Sequence, residues 1–374
     1  MSGRPPHRTV PGLSAPALAR KKRAIVVVGG SGFVGCNLAN SYLKEGEDVI
    51  VLDNLSRPGV ERNLEWLADN HGSAVQPVIA DIRELPAIEP VIKDAKAVFH
   101  LAAQTAVTTS LKQPIDDFET NARGTLNVLE AVRRTGRRMP VIFASTNKVY
   151  GALAGMQMKE IGSRHLPTDA TTRRYGVSEA HPLDFCTPYG CSKGVADQYV
   201  LDYAKSFGVP TAVLRMSCVY GPRQFGTEDQ GWVAHFLIRA LAGQPISIYG
   251  DGKQVRDILH VSDAVAAYRA ILKSIDNLEG RAFNLGGGPD NAVSLAEVLC
   301  EIELLSGRRL VTVTSDWRAG DQLYFVADTR ALEQAVGWKA HTSWRQGLRD
   351  LHAWLLRDWI AIDAVQRQPR RVTA

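Results

Sequence analysis

Cysteine is scarce in this 374-residue chain, with only Cys36, Cys186, Cys191, Cys218 and Cys300. The odd count, and the lack of CxxC or zinc-ligand spacing, argue against a disulfide framework and a structural metal. They predict reduced thiols in a cytoplasmic protein. No apolar run reaches the roughly 18 residues of a membrane span, so no membrane partner is expected. Internal repeats and low-complexity tracts are missing as well. Acids are missing from both ends. Residues 1–23 hold Arg4, Arg8, Arg20, Lys21, Lys22 and Arg23, and residues 364–374 hold Arg367, Arg370 and Arg371. Such stretches bury too little apolar surface to offset their ordering entropy, so both are expected as disordered basic tails. The first lacks the apolar stretch of a signal peptide. The whole chain's +5 would suit a polyanion. Subtracting these nine tail charges leaves residues 24–363 at −4, so nucleic acid is not expected as a partner.

What remains is ordinary globular composition, 45% apolar and 22% charged. Short β-branched runs recur at 24–29, 48–52, 97–101, 140–145 and 211–215, with helical stretches at 32–45, 115–136 and 188–207. Apolar strands alternating with helices predict an α/β fold, a doubly wound parallel sheet of Rossmann type covered on both faces. After about 216 the alternation loosens. Helical segments near 231–243, 261–274, 294–306 and 329–337 mix with short strands, predicting a smaller C-terminal α/β substrate-binding domain over the sheet's carboxyl edge. The expected division is 24–215 for the dinucleotide domain, with later segments near 255–285 returning to it. Residues 216–363 mainly form the second domain.

The first strand runs into Gly29-Gly30-Ser31-Gly32-Phe33-Val34-Gly35. Glycines at 29, 32 and 35 permit a tight turn, a close approach to a pyrophosphate and close helix–strand packing, with a helix N-terminus facing the phosphates. Asp53, ending the next strand and followed by Asn54, can accept from both ribose hydroxyls and repel a 2′-phosphate. NAD is the expected cofactor, with Arg57 close enough to keep NADP open. Asp81 and Ile82 are placed at the adenine edge. Leu101, Ala102 and Ala103, after His100, are small or apolar residues beside the cofactor.

Tyr189 and Lys193 stand four apart on one helix and share a face. A phenol ordinarily ionises near pH 10. A neighbouring ammonium and an oxidised nicotinamide favour the phenolate, making Tyr189 a candidate base, and Lys193 can also hold the nicotinamide ribose. Thr146 ends the fifth strand at the same edge and can orient a substrate oxygen.

The glycine loop, Asp53, the Leu101–Ala103 segment, Thr146, Tyr189/Lys193 and Tyr220-Gly221-Pro222-Arg223 together resemble the extended short-chain dehydrogenase/reductases, over about 25–340. That resemblance implies an enzyme acting on a nucleotide sugar, with Thr146, Tyr189 and Lys193 as its catalytic trio. It also implies a homodimer or homotetramer packed through the helices at 115–136 and 188–207. Dehydrating members carry an Asp-Glu pair directly after the Thr, and decarboxylating members need an acid there. This chain has Asn147-Lys148, which leaves an epimerase or a simple reductase.

Longer blocks are similar to the branch that epimerises CDP-linked 3,6-dideoxyhexoses at C2. They are 145–151, 188–194, Ala106–Ser110, Arg223–Phe225, Asp229–Val233 and Gly252–Asp257. The similarity implies Thr109, Asn147, Arg223, Gln230 and Arg256 on the substrate side, the two arginines at the diphosphate. Met216, Cys218 and Glu228 depart from that branch, where His, Asn and an aromatic are expected. Epimerases of UDP- or GDP-hexoses, at C4 or C2, remain open. A non-catalytic NAD-binding protein would have no use for the trio.

Overall fold

The computed structural model describes residues 23–278 and 280–359. Apart from Arg23, the two basic tails lie outside the described residues.

Strand and helix alternate first as β1 (Ile25–Val28), α1 (Phe33–Leu43), β2 (Val49–Asp53), α2 (Val60–His71), β3 (Val75–Ile79), α3 (Leu85–Lys93) and β4 (Ala97–His100). Helices α4 (Val107–Lys112) and α5 (Pro114–Phe118) lead through a π-helical turn, Glu119–Arg123, into α6 (Gly124–Arg133). Then come β5 (Val141–Thr146), β6 (Met158–Ile161), β7 (Arg164–Pro167), α7 (Ala170–Tyr175), α8 (Thr187–Phe207) and β8 (Thr211–Met216). The remainder holds β9 (Cys218–Tyr220), α9 (Trp232–Leu241), β10 (Ile246–Tyr249), β11 (Val255–His260), α10 (Val261–Ser274) and β12 (Ala282–Leu285). It ends with β13 (Ala292–Ser294), α11 (Leu295–Ser306), β14 (Thr312–Ser315), β15 (Tyr324–Phe325), α12 (Arg330–Val336) and α13 (Trp344–Arg357).

Seven strands form one sheet in the order β12-β8-β5-β4-β1-β2-β3, parallel throughout. Side chains along a strand alternate faces, and here both faces are dry. Ile25 and Val27 of β1 join the core under α1, α2 and α10, while Val26 and Val28 join the core under α3, α6 and α8. That explains why β1 reads as an unbroken apolar run. The chain leaves β1 toward β2 on one side and returns through β4 on the other. The crevice at the carboxyl ends of β1 and β4 is therefore the switch point, where open α/β sheets bind ligands.

The later strands build a smaller second sheet, β13-β11-β15 with β9 also on β11, and β10 pairs with β14. Their core gathers α9, α11 and α13 through Phe236, Leu237, Ile302, Leu348 and Leu351. Within 255–285 the chain divides. Helix α10 packs on α1 and β12 extends the main sheet beside β8, whereas β11 stays in the smaller sheet. The loop after β9 closes the two units together: Asn37 Nδ2 donates to Pro222 O (3.1 Å) and Asn63 Nδ2 to Arg223 O (3.3 Å).

The helical stretch expected at 115–136 runs from Pro114 to Arg133 with a π turn in its middle. The π turn presents Asn121, whose side chain donates to Gln104 O (3.0 Å) and Ser192 Oγ (3.0 Å). An inserted turn of this kind re-aims one polar side chain without ending the helix.

Candidate active site

The first strand delivers the glycine turn to the switch point. Gly29 adopts φ +81°, and a Cβ there would sit 2.5 Å from Ala102 N. A Cβ on Gly35 would meet Gly29 O at 2.2 Å. Gly32 is the N-cap of α1, with no side chain over the helix's free N–H groups, and Phe33 and Val34 open the helix. Ser31 N donates to Asp53 Oδ2 (3.0 Å) and Leu55 N to Oδ1 (2.9 Å), fixing the carboxylate beside the turn. Burial raises the Asp53 carboxyl, and the surrounding backbone N–H groups partly offset it. The Ser31 hydroxyl is buried without a hydrogen-bond partner.

Asn54 Nδ2 donates to Asp81 Oδ2 (3.0 Å), and Arg83 forks onto the same carboxylate. Ile82 is buried where Gly124 leaves room for it. Leu101 and Ala102 both donate their N–H to Val28 O (2.8 and 2.9 Å), carrying the chain with Ala103 along the floor of the crevice. A bare glycine turn, an oriented Asp53 and an unsatisfied Ser31 hydroxyl fit a dinucleotide's pyrophosphate and ribose.

Tyr189 lies in the first turn of α8, just after Thr187 at φ 67°. A β-branched residue in that region is strained by about 1–3 kcal/mol. Tyr189 N donates to Ser110 Oγ (3.1 Å), and its phenol is hydrogen-bonded to Thr146. Burial pushes the phenol up to about 12, opposed by the Thr146 bond and the Arg57 charge. Lys193, one turn on, donates to Ala144 O (2.6 Å) and lies 4.0 Å from the Phe143 ring centroid. The sequence expected Lys193 to lower the phenol. The groups that do so are Thr146 and Arg57, because the ammonium is held by Ala144 O of β5. Arg57 donates to Thr105 Oγ1 (2.5 Å), so its guanidinium spans the crevice from the β2 side.

Burial pulls the Lys193 ammonium down to about 7, against an ordinary 10.5, with Asp197 and Asp117 opposing. Between those pH values the unfolded chain binds a proton that the folded chain does not. This lysine's penalty on folding therefore shrinks as pH rises from 7 to 10.5. Lys193→Met without cofactor is expected to melt about 2–4 °C above the parent at pH 7. The gap should close near pH 10.5, which differential scanning calorimetry across pH reads directly.

On the substrate side, Asn147 Nδ2 donates to Gln322 Oε1 (3.2 Å), and Gln322 Nε2 to Gly151 O (2.6 Å). Arg256 Nη2 donates to Asp321 Oδ1 (2.6 Å). Gln230 lines a cavity of about 140 Å³ with Ser217, Cys218, Gln224 and Trp232. Thr109 is half-buried on α4, whose start is tied to the second unit by Thr108 Oγ1 donating to Asp229 (3.0 Å). Arg223 and Arg256 are not brought together. The Arg223 guanidinium lies over Trp66 at 4.2 Å and near Trp354 at 5.9 Å, on the outer wall beside α2. Asp321, Gln322 and the Arg57 contact were missed from sequence. The first two sit in coil between β14 and β15 with no local pattern to mark them.

Among the described residues, one group with metal-ligand chemistry, Glu160, His165 and Asp251, gathers its ligand atoms within 4.8 Å. Glu160 and His165 lie on the β6–β7 hairpin and Asp251 on the loop between β10 and β11, and the Lys253 ammonium is already paired with Glu160.

A parallel sheet with a glycine turn at its switch point, and a Tyr–Thr hydroxyl pair beside it, fit a dinucleotide-dependent enzyme. The chain belongs to the NAD dependent epimerase/dehydratase family, whose model matches residues 25–286. It is 41% identical over 337 residues to the CDP-paratose 2-epimerase of Salmonella typhi, covering 88% of this chain and 98% of that protein. Among solved structures it is similar to the UDP-glucose 4-epimerase of Thermotoga maritima with UDP-glucose (TM-score 0.77, 28% identity, 90% of this chain and 99% of that one). It is also similar to the UDP-glucuronic acid 4-epimerase of Bacillus cereus in complex with UDP-glucuronic acid and NAD (TM-score 0.76, 26% identity, 89% and 99%).

Proposed function

We propose that the chain inverts C2 of a CDP-linked 3,6-dideoxyhexose, the reaction of its Salmonella typhi relative, with NAD as its resident cofactor. One observation carries the reading beyond the shared family. The two positions after Thr146 are an amide bonded to Gln322 and an ammonium bonded to Gly320 O, so neither acts as the acid or base of an elimination. C2 of such a sugar has no adjacent carbonyl and no acidic proton. NAD bound in the crevice supplies a hydride acceptor for C2, and afterwards a donor to its other face.

The chain's residues do the rest. Tyr189 takes the C2 hydroxyl proton and returns it. Thr146, bonded to that phenol, holds the oxygen in line. Lys193, anchored on Ala144 O, holds the nicotinamide ribose. Asp53 takes the adenosine ribose hydroxyls, Asn54, Asp81 and Ile82 flank the adenine, and Arg256 binds the diphosphate. Thr109, Asn147 and Gln230 bound the sugar and base pocket. Solved neighbours that carry UDP-sugars support the alternative of a UDP-hexose 4-epimerase. Incubation with CDP-, UDP- and GDP-sugars, followed by NMR of the products, decides. The reading requires C2 inversion of the CDP-dideoxyhexose, and C4 inversion of a UDP-hexose alone would overturn it.

All five cysteines are free, which supports a reducing cytoplasmic compartment. Among the described residues no helix is long and apolar enough to cross a membrane. Leu111, Ile115 and Phe118 on α4–α5 are 50%, 78% and 51% exposed, and α5 packs on α8. This apolar strip supports a dimer through α5, α6 and α8. Ile115→Arg is expected to convert it to monomer, as read by sedimentation velocity.

A further inference from the structure

Lys148 stands two residues after Thr146, where an elimination would need an acid. It lies in the 3₁₀ turn Asn147–Tyr150 that follows Thr146, and its backbone N–H donates to Thr146 Oγ1 (3.2 Å). That bond holds the Lys148 backbone beside Thr146. The ammonium donates to Gly320 O (3.0 Å) and lies 3.7 Å from Asp321 Oδ1. Arg256 reaches the same oxygen at 2.6 Å. Arg256 is 6% exposed, and the side chains of Lys148 and Asp321 retain only 22% and 20% exposure. The other titratable groups felt by Lys148 are the thiols of Cys218 and Cys186, and burial raises Cys218, keeping it neutral. Two cations therefore share one carboxylate oxygen, a 2:1 excess of positive charge at this contact.

Keeping excess positive charge out of water is costly. Burial already pulls the Lys148 ammonium below its ordinary value, opposed by Asp321. A dianion entering between the two cations would relieve that cost. Arg256 offers a planar fork that matches phosphate oxygens, and Lys148 a compact point charge.

We propose that Lys148 and Arg256, converging on Asp321, form a two-cation seat for the substrate's diphosphate. Lys148 takes the phosphate attached to the sugar, the pivot about which the oxidised sugar turns between its two faces. This rests on the function proposed above. Lys148 is the nearer cation to Thr146 in the chain and Arg256 comes from the second unit, so the diphosphate closes the two units over the sugar. Asp321 holds the cations in place until the anion arrives.

Isothermal titration of the full-length, NAD-loaded chain with CDP, UDP and GDP, each beside its monophosphate, tests the seat. For the tightest diphosphate, Lys148→Met is expected to weaken binding tenfold or more, while its monophosphate changes less than threefold. Lys148→Arg should restore the diphosphate to within threefold. With substrate, Lys148→Met should also raise KM more than it lowers kcat and accumulate 340 nm absorbance as oxidised sugar strays from the returning position. Melting temperature and bound NAD check that the variant is folded. Equal loss of diphosphate and monophosphate overturns the proposal, as does diphosphate binding within twofold of the parent. If the parent prefers UDP or GDP, the base assignment fails and the seat stands. If CDP is preferred but Lys148→Met binds it normally, the seat fails and the base assignment stands.

Discussion

Tyr189→Phe is expected to lower kcat by about 10²–10⁴-fold, the range for a positioned acid–base group, while NAD still copurifies and KM changes little. The phenol hydroxyl is the one group removed, and the residue, in the first turn of α8, is only 9% exposed. Thr146 cannot replace it, because an aliphatic hydroxyl bonded to the phenol is far too weak a base to take the substrate proton. With burial holding the phenol up to about 12, the residual phenolate at neutral pH is small. Activity of the parent should therefore rise with pH on its acidic limb. That limb should vanish in the Phe variant. Near-parental kcat in Tyr189→Phe would remove Tyr189 from the proton path.

Gly35→Ala is expected to abolish NAD retention and to cost about 1–3 kcal/mol of stability by overpacking. The added methyl would lie 2.2 Å from Gly29 O and 2.8 Å from Gly30 Cα, both backbone atoms that no rotamer change can move. Relief requires α1 to back away from the turn, and that displaces the N–H groups at its start from the pyrophosphate. Absorbance of the released cofactor and a thermal melt read the two effects. A variant that keeps NAD and its melting temperature would show that α1 does not need this close approach.

The central sheet was legible because β1, β4, β5 and β8 are buried on both faces, so burial itself writes unbroken β-branched runs. The β6–β7 hairpin wrote no such signal, since Lys159, Glu160 and Ile161 face water. Helix α13 carries a helical signal of its own, with Leu348, Leu351, Trp354 and Leu355 buried at helical spacing. The cofactor residues were legible because their chemistry is local to strand ends. The substrate side was less so. Arg256 finds Asp321 across 65 residues, and Arg223 is drawn to Trp66 across more than 150, pairings that no local pattern announces. Arg57, near enough to Asp53 in sequence to suit a 2′-phosphate, lies against Thr105, where its charge bears on Tyr189.

Oxidation at C2 and return of the same hydride is the central claim, and a C2-deuterated CDP-dideoxyhexose turned over in ordinary water tests it most directly. The account requires the epimerised product to keep its deuterium at C2, because the label leaves and returns within one closed site. Exchange of that deuterium for solvent hydrogen during turnover would contradict it.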